Sequence, residues 1–154
     1  MIENLPIVGH ERVCCYITRG RELLVFEHDQ IYDDGAVGIQ VVGGGWEEGE
    51  TLEQAAIRET LEESGLVLEN PVFLGTSHYR SKFGRLEGQK QVRHYFWLEA
   101  PPETPDGWSH TVSSGQLDKG HIYHHRFVAL EDMDLVFGMG EMLNMLKEGV
   151  EKYA

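Results

Sequence analysis

Apolar residues run almost unbroken through ERVCCYIT (Glu11 to Thr18) and ELLVFE (Glu22 to Glu27), which predicts two strands joined by a turn at Arg19-Gly20. YDDG, from Tyr32 to Gly35, reads as loop. A third strand is expected over VGIQVV, Val37 to Val42, ending in the glycine run Gly43 to Gly45. Thr51 to Ser64 contains neither Gly nor Pro and is built from good helix formers. Further strands are expected at Val72 to His78, Gln91 to Glu99 and Ile122 to Leu130. Ala100 to Gly115 holds PPETP with much Ser, Gly and Asp, and reads as a surface loop. From Met139 to Tyr153 the apolar residues Met142, Leu143, Met145, Leu146 and Val150 recur at helical spacing. Several strands interrupted by a central and a terminal helix predict an α/β domain, a mixed sheet with helices packed on it.

Length and composition narrow the class. The 154 residues suit one domain spanning 1–154, and a hydrophobic share of 41% is enough for a core. No basic segment followed by an apolar run stands at the N-terminus, and no apolar stretch approaches the roughly 18 residues of a membrane helix. The two cysteines, Cys14 and Cys15, are neighbours in an expected strand and point to opposite faces, which disfavours a disulfide between them. A cytoplasmic protein with reduced thiols is the expectation.

The formal net charge of -13 argues against nucleic-acid or membrane binding through a broadly basic surface. It leaves room for a small phosphorylated ligand, because the basic residues cluster. Arg80, Lys82, Arg85, Lys90 and Arg93 lie close together with one acid, Glu87, among them. Such a stretch offers charge-assisted hydrogen bonds to phosphate, or is simply a solvated edge strand and loop.

The central helix carries the sharpest signal. Thr51 followed by Gln54 is a capping-box pattern, and Gly65 is a suitable C-terminal stop. At about 100° per residue, Glu59, Glu62 and Glu63 fall within roughly 100° of one another. Ile57 and Leu61 lie opposite and are expected to dock on the sheet. Like charges three and four residues apart repel, and the C-terminal end of a helix disfavours anions. A local rule broken this way points to function, and clustered carboxylate oxygens are relieved by a hard divalent cation such as Mg²⁺.

Gly44, Glu50, Arg58-Glu59, Glu62-Glu63 and Gly65-Leu66 stand at fixed spacings in GGWEEGETLEQAAIRETLEESGL. This resembles the Nudix box, the signature of the Nudix hydrolases. The resemblance implies an α/β/α sandwich with a mixed sheet. It implies hydrolysis of a nucleoside diphosphate linked to another group, with Mg²⁺ or Mn²⁺. It makes Glu62 and Glu63 metal ligands and Glu59 a further ligand or a general base. The Gly43 carbonyl is another candidate ligand, and Arg58, with Glu50, would orient a glutamate. Two departures are mild: Thr60 replaces an aliphatic residue at a position that need only tolerate partial burial, and Val42 stands where many members have proline. Many members also place a catalytic acid before the last strand, where this chain has SSGQLDKGHIYHHRF. Asp118 and His121 are the candidate bases there, with His124 and His125 nearby. A zinc site from the three histidines is disfavoured, because alternation turns His124 away from His121 and His125.

Candidate substrate contacts are Arg80, Arg93, Trp46 and Tyr79, the two aromatics either stacking on a base or packing. The expected partner is a small nucleotide or nucleoside diphosphate derivative rather than long nucleic acid or membrane. Pairing into a homodimer is common in the family, and the terminal helix offers a surface for it. The rival expectation is a non-catalytic nucleotide-binding or sensing module on the same fold. A Ca²⁺-binding acidic helix with no nucleotide role leaves Gly44, Glu50 and Arg58 unexplained.

Overall fold

The computed structural model describes residues 11–28, 38–80, 90–113, 119–131, 134–135 and 138–153. Among the described residues, seven strands and two helices follow one another. They are β1 (Glu11–Arg19), β2 (Glu22–His28), β3 (Val42–Gly45), α1 (Leu52–Ser64), β4 (Val72–Arg80), β5 (Lys90–Glu99), β6 (Gly107–Thr111), β7 (Ile122–Ala129) and α2 (Leu143–Tyr153). The strands form one mixed sheet in the order β4-β5-β1-β2-β7-β6. β1 and β5 pair in parallel from Glu11↔Val92 to Thr18↔Glu99, and the other pairs are antiparallel. The free edge of β1 is shared: its end pairs with β2 at Thr18↔Leu23, and its start pairs with β3 from Arg12↔Gly45 to Cys15↔Val42.

Alternation along β1 builds a core on each face of the sheet. Val13, Cys15 and Ile17 pack with Phe96, Leu98 and the α1 residues Ala55 and Ala56. Cys14 and Tyr16 point the other way, to Tyr95, Trp97 and the α2 residues Leu146 and Val150. The result is the expected α/β/α arrangement. Both cysteines are buried and free, one in each core.

Three elements differ from the sequence reading. The third strand lies over Val42–Gly45, so the glycines are in it rather than after it; Ile39 and Gln40 make only isolated bridges. Its backbone passes so close to β1 that a Cβ on Gly43 would lie 2.6 Å from the Val13 carbonyl oxygen. Within the expected surface loop, Gly107–Thr111 forms an edge strand on β7. There Trp108 and His110 alternate with exposed Ser109, a period-two pattern obscured by the surrounding Pro, Ser and Gly. α2 begins at Leu143, after turns over 138–142. The expected Tyr32–Gly35 loop and Val37 lie outside the described residues.

Candidate active site

α1 starts and stops as its sequence prescribes. The Thr51 side chain accepts from the Gln54 amide at 3.0 Å, and the Gln54 side chain accepts from the Thr51 amide at 2.8 Å. Gly65 adopts φ 81°, and its N–H donates to the Leu61 carbonyl at 2.9 Å.

The helix is rolled differently from the sequence expectation. Its buried residues are Ala55, Ala56, Glu59, Thr60, Glu63 and Ser64, whereas Leu61 is 46% exposed and Ile57 only half-buried. The acidic face, not the Ile57–Leu61 face, docks on the sheet. Small residues allow this close approach, and β3 supplies what the acids need. Gly43 N–H donates to Glu63 Oε1 at 2.9 Å. A Cβ on Gly44 would stand 2.2–2.3 Å from the Glu59 carboxylate, so only glycine leaves room for it. Thr60 is fully buried, beyond the partial burial expected of it, and its hydroxyl is satisfied by the Ala56 carbonyl at 2.8 Å.

Arg58 ties the cluster together. Its Nε and Nη2 grip both oxygens of Glu50 at 3.0 and 2.7 Å, a bidentate fork. Nη2 also donates to the Gly45 carbonyl at 2.8 Å. Nη1 donates to Glu59 Oε1 at 2.8 Å and to Glu62 Oε2 at 3.3 Å. Glu47 completes the set of carboxylates around this guanidinium at 3.7 Å. The hydrogen bond from Arg58 draws the Glu50 carboxyl below its ordinary value. Glu59 moves the other way: burial pushes its carboxyl up to about 7, against the pull of Arg58 and with the push of Glu62.

The far end of α1 meets β6 and β7. Trp108 Nε1 donates to the Ser64 carbonyl at 2.8 Å. His110 Nε2 lies 3.1 Å from the Glu62 carbonyl oxygen, and His125 Nε2 lies 2.8 Å from that of Glu63. A carbonyl only accepts, so both rings carry their proton on Nε2. His125 stacks on Trp108 with centroids 5.2 Å apart, and burial lowers its pKa to about 4. Trp108 and His110 were absent from the sequence candidates because their strand was hidden in an apparent loop.

Glu50, Arg58, Glu59, Glu62, Glu63 and Gly43 are therefore brought together. Arg93 and Tyr79 are not. Arg93 is buried on the α2 side of the sheet, its guanidinium 3.8 Å from the Tyr79 ring centroid and 3.5 Å from Glu141. Strand alternation turns both Arg93 and Tyr79 away from α1. Arg80 is exposed at the end of β4 on the α1 face, opposite Lys90. Trp46 is 40% exposed, with its Nε1 donating to the Glu50 carbonyl at 2.8 Å. His121 Nδ1 lies 2.9 Å from His28 Nε2, and His124 turns to Ser109 on the opposite face, as alternation required. Asp118 lies outside the described residues.

The oxygen donors of Glu59, Glu62 and Glu63 are of the kind that hard divalent cations prefer. Among the described residues, however, no three acidic, histidine or cysteine side chains already surround one point as a metal cage would. The acids are instead engaged by Arg58 and the Gly43 amide.

Comparison with known proteins agrees with this geometry. The NUDIX domain family matches residues 9–146. Nudix hydrolase 4 of Arabidopsis thaliana is 51% identical over 39 residues, which cover 25% of this chain and 19% of that protein's length. In fold, the chain is similar to a NUDIX hydrolase from Nitrosomonas europaea, with TM-score 0.64, 20% identity and coverage of 92% and 90% of the two chains. It is also similar to the NUDIX domain of Shewanella oneidensis NrtR, solved in complex with ADP ribose, with TM-score 0.64, 17% identity and coverage of 97% and 96%. With the box acids in place on the docked face of α1, the chain belongs to the NUDIX domain family.

Proposed function

We propose that residues 1–154 form a single catalytic domain that cleaves the diphosphate linkage of a nucleoside diphosphate derivative, with Mg²⁺ or Mn²⁺ as cofactor. The observation that carries this reading is the carboxylate face of α1, pressed against β3 and organised by one guanidinium. Acids buried without function would be costly, and a divalent cation offsets their repulsion. Glu62 and Glu63 would hold the metal, with Glu59 or the Gly43 carbonyl as a further oxygen donor. A bound metal ion neutralises charge on the diphosphate oxygens and acidifies water.

The chain's own residues do the rest. Arg58 orients Glu59 and Glu62 while Glu50 holds Arg58. The Gly43 amide fixes one oxygen of Glu63. Glu59, held by Arg58 against the glycines of β3, takes one of two roles, a further metal ligand or the proton acceptor for the attacking water. Arg80 and Lys90, on the same face of the sheet as α1, are the cations of the basic stretch suited to substrate phosphate, whereas Arg93 and Tyr79 serve the opposite core. The ADP ribose held by the Shewanella neighbour favours substrates of that chemical kind.

The test is a turnover panel of nucleoside triphosphates, nucleoside diphosphates, ADP-ribose, nucleotide sugars and dinucleoside polyphosphates, with Mg²⁺ and with Mn²⁺. Metal-dependent cleavage of one group, absent in Glu63→Gln, is the expected result. Tight nucleotide binding with no product from any member would replace this reading with the sensing module.

A further inference from the structure

An α-helix leaves its last four carbonyls without partners inside the helix. In α1 these belong to Leu61, Glu62, Glu63 and Ser64. Each has a donor here. Gly65 N–H takes Leu61, His110 Nε2 takes Glu62, His125 Nε2 takes Glu63 and Trp108 Nε1 takes Ser64. Three of the four donors are ring N–H groups from the β6–β7 pair, more than 40 residues away in sequence.

This arrangement needs a reason. The last turn of α1 carries no basic residue, although cations are the ordinary complement of a helix C-terminus. It carries Glu62 and Glu63, which repel each other and the helix end, so the turn on its own would fray. A lysine or arginine cap would stop the fraying but would add a cation that competes for the carboxylates. Ring N–H donors hold the backbone and add no lysine or arginine to that turn. The His125 Nδ1 atom is buried with no hydrogen-bond partner, consistent with an uncharged ring held through Nε2 alone. The ring is further fixed by stacking on Trp108 and by Phe26 at 5.4 Å.

We propose that His110, His125 and Trp108 are positioning residues for metal binding: their ring N–H groups clamp the carbonyls of Glu62, Glu63 and Ser64 and so hold the two glutamate side chains in their binding orientation. The inference rests on the metal-binding role proposed above for Glu62 and Glu63. None of the three rings is itself a ligand. Outer groups that orient a metal ligand contribute about 10- to 100-fold in affinity in other sites.

The test is Mn²⁺ binding to metal-free protein, followed by the electron paramagnetic resonance signal of free Mn²⁺, with circular dichroism to confirm the fold. His125→Phe keeps a stacking ring and removes the donor; His110→Phe does the same at a half-buried position and guards against misfolding of the first variant. Each is expected to weaken Mn²⁺ binding by about 10-fold or more, the effect of other orienting groups. His125→Gln, which restores an N–H donor, is expected to recover part of the loss. Leu146→Ala, in the α2 core, lowers the melting temperature without this effect. Wild-type affinity in both folded phenylalanine variants overturns the proposal, as does an equal loss in Leu146→Ala. Absence of Mn²⁺ binding that depends on Glu63 in the wild type would instead overturn the parent reading.

Discussion

At the level of single residues, the site depends on two requirements of shape. Gly44 gives up its side chain so that the Glu59 carboxylate can lie against β3. Gly44→Ala is expected to expel that carboxylate and cut turnover at least 10-fold, since small displacements at a reacting site are costly. Steady-state kinetics at saturating metal would check it, and unchanged kcat would show that Glu59 does not need this berth. The second requirement is the fork of Arg58, which serves Glu50, Glu59, Glu62 and the Gly45 carbonyl at once. A lysine has the charge but not the planar donors. Arg58→Lys should therefore lose about as much activity as Arg58→Ala, roughly 10- to 100-fold on the scale of other outer-sphere groups. Full activity in the lysine variant would reduce Arg58 to a counter-charge. Both residues were legible in the sequence through the spacing of the box. Which way the acids faced was not, because helical angles rank positions relative to one another but do not say which side meets the sheet. Leu61 suggested one side; Ala55, Ala56 and the glycines of β3 decided for the other.

At the level of elements, the junction of α1 with β7 carries a pH signature. Burial holds His125 neutral down to about 4, against an ordinary value of 6.5. Between these values the unfolded chain binds a proton that the folded chain does not. The contribution of His125 is thus fully present above pH 6.5 and is lost as pH falls towards 4, by about 3 kcal/mol. Glu59 contributes with the opposite sign: its raised value near 7 means that the folded state holds the extra proton, so its contribution is lost as pH rises from 4.5 to 7. The two effects oppose each other in the metal-free wild type. The stability gap between wild type and His125→Gln should therefore widen as pH rises from 4 to 6.5, measured by urea unfolding in a chelator. A constant gap would mean that His125 titrates alike in both states. The strands of this junction were unequally legible. β7 is a run of eight residues without Gly or Pro, rich in Ile, Tyr, Phe and Val, whereas β6 is short, lies at an edge and is surrounded by turn-forming residues, so only its Trp-Ser-His alternation marked it.

At the level of the whole molecule, one sheet carries a core on each face, and the parallel β1–β5 pair runs through both. A mixed sheet with helices on it was legible because the two helices and the strand-rich segments are separately periodic; the α/β/α layering was implied by the resemblance to the Nudix hydrolases. The side taken by the basic stretch was less so. Arg93 looked like a phosphate ligand from composition, yet its strand position commits it to the α2 core, where Tyr79, Gln91 and Glu141 receive it. Because both cores share the sheet, unfolding should be one cooperative transition. Leu146→Ala should move that whole transition, at a cost of about 2–5 kcal/mol, rather than split it. Calorimetry would check this, and two separate transitions would contradict it.

The central claim is that the docked acids of α1 are the metal-dependent catalytic centre. Its most direct test is the turnover of Glu63→Gln against wild type on the best substrate of the panel, at the same Mg²⁺ concentration and with folding confirmed. The account predicts at least a 100-fold loss in kcat/KM, about 2.7 kcal/mol of lost transition-state stabilisation. Turnover within a few-fold of wild type would contradict it and place the chemistry away from α1.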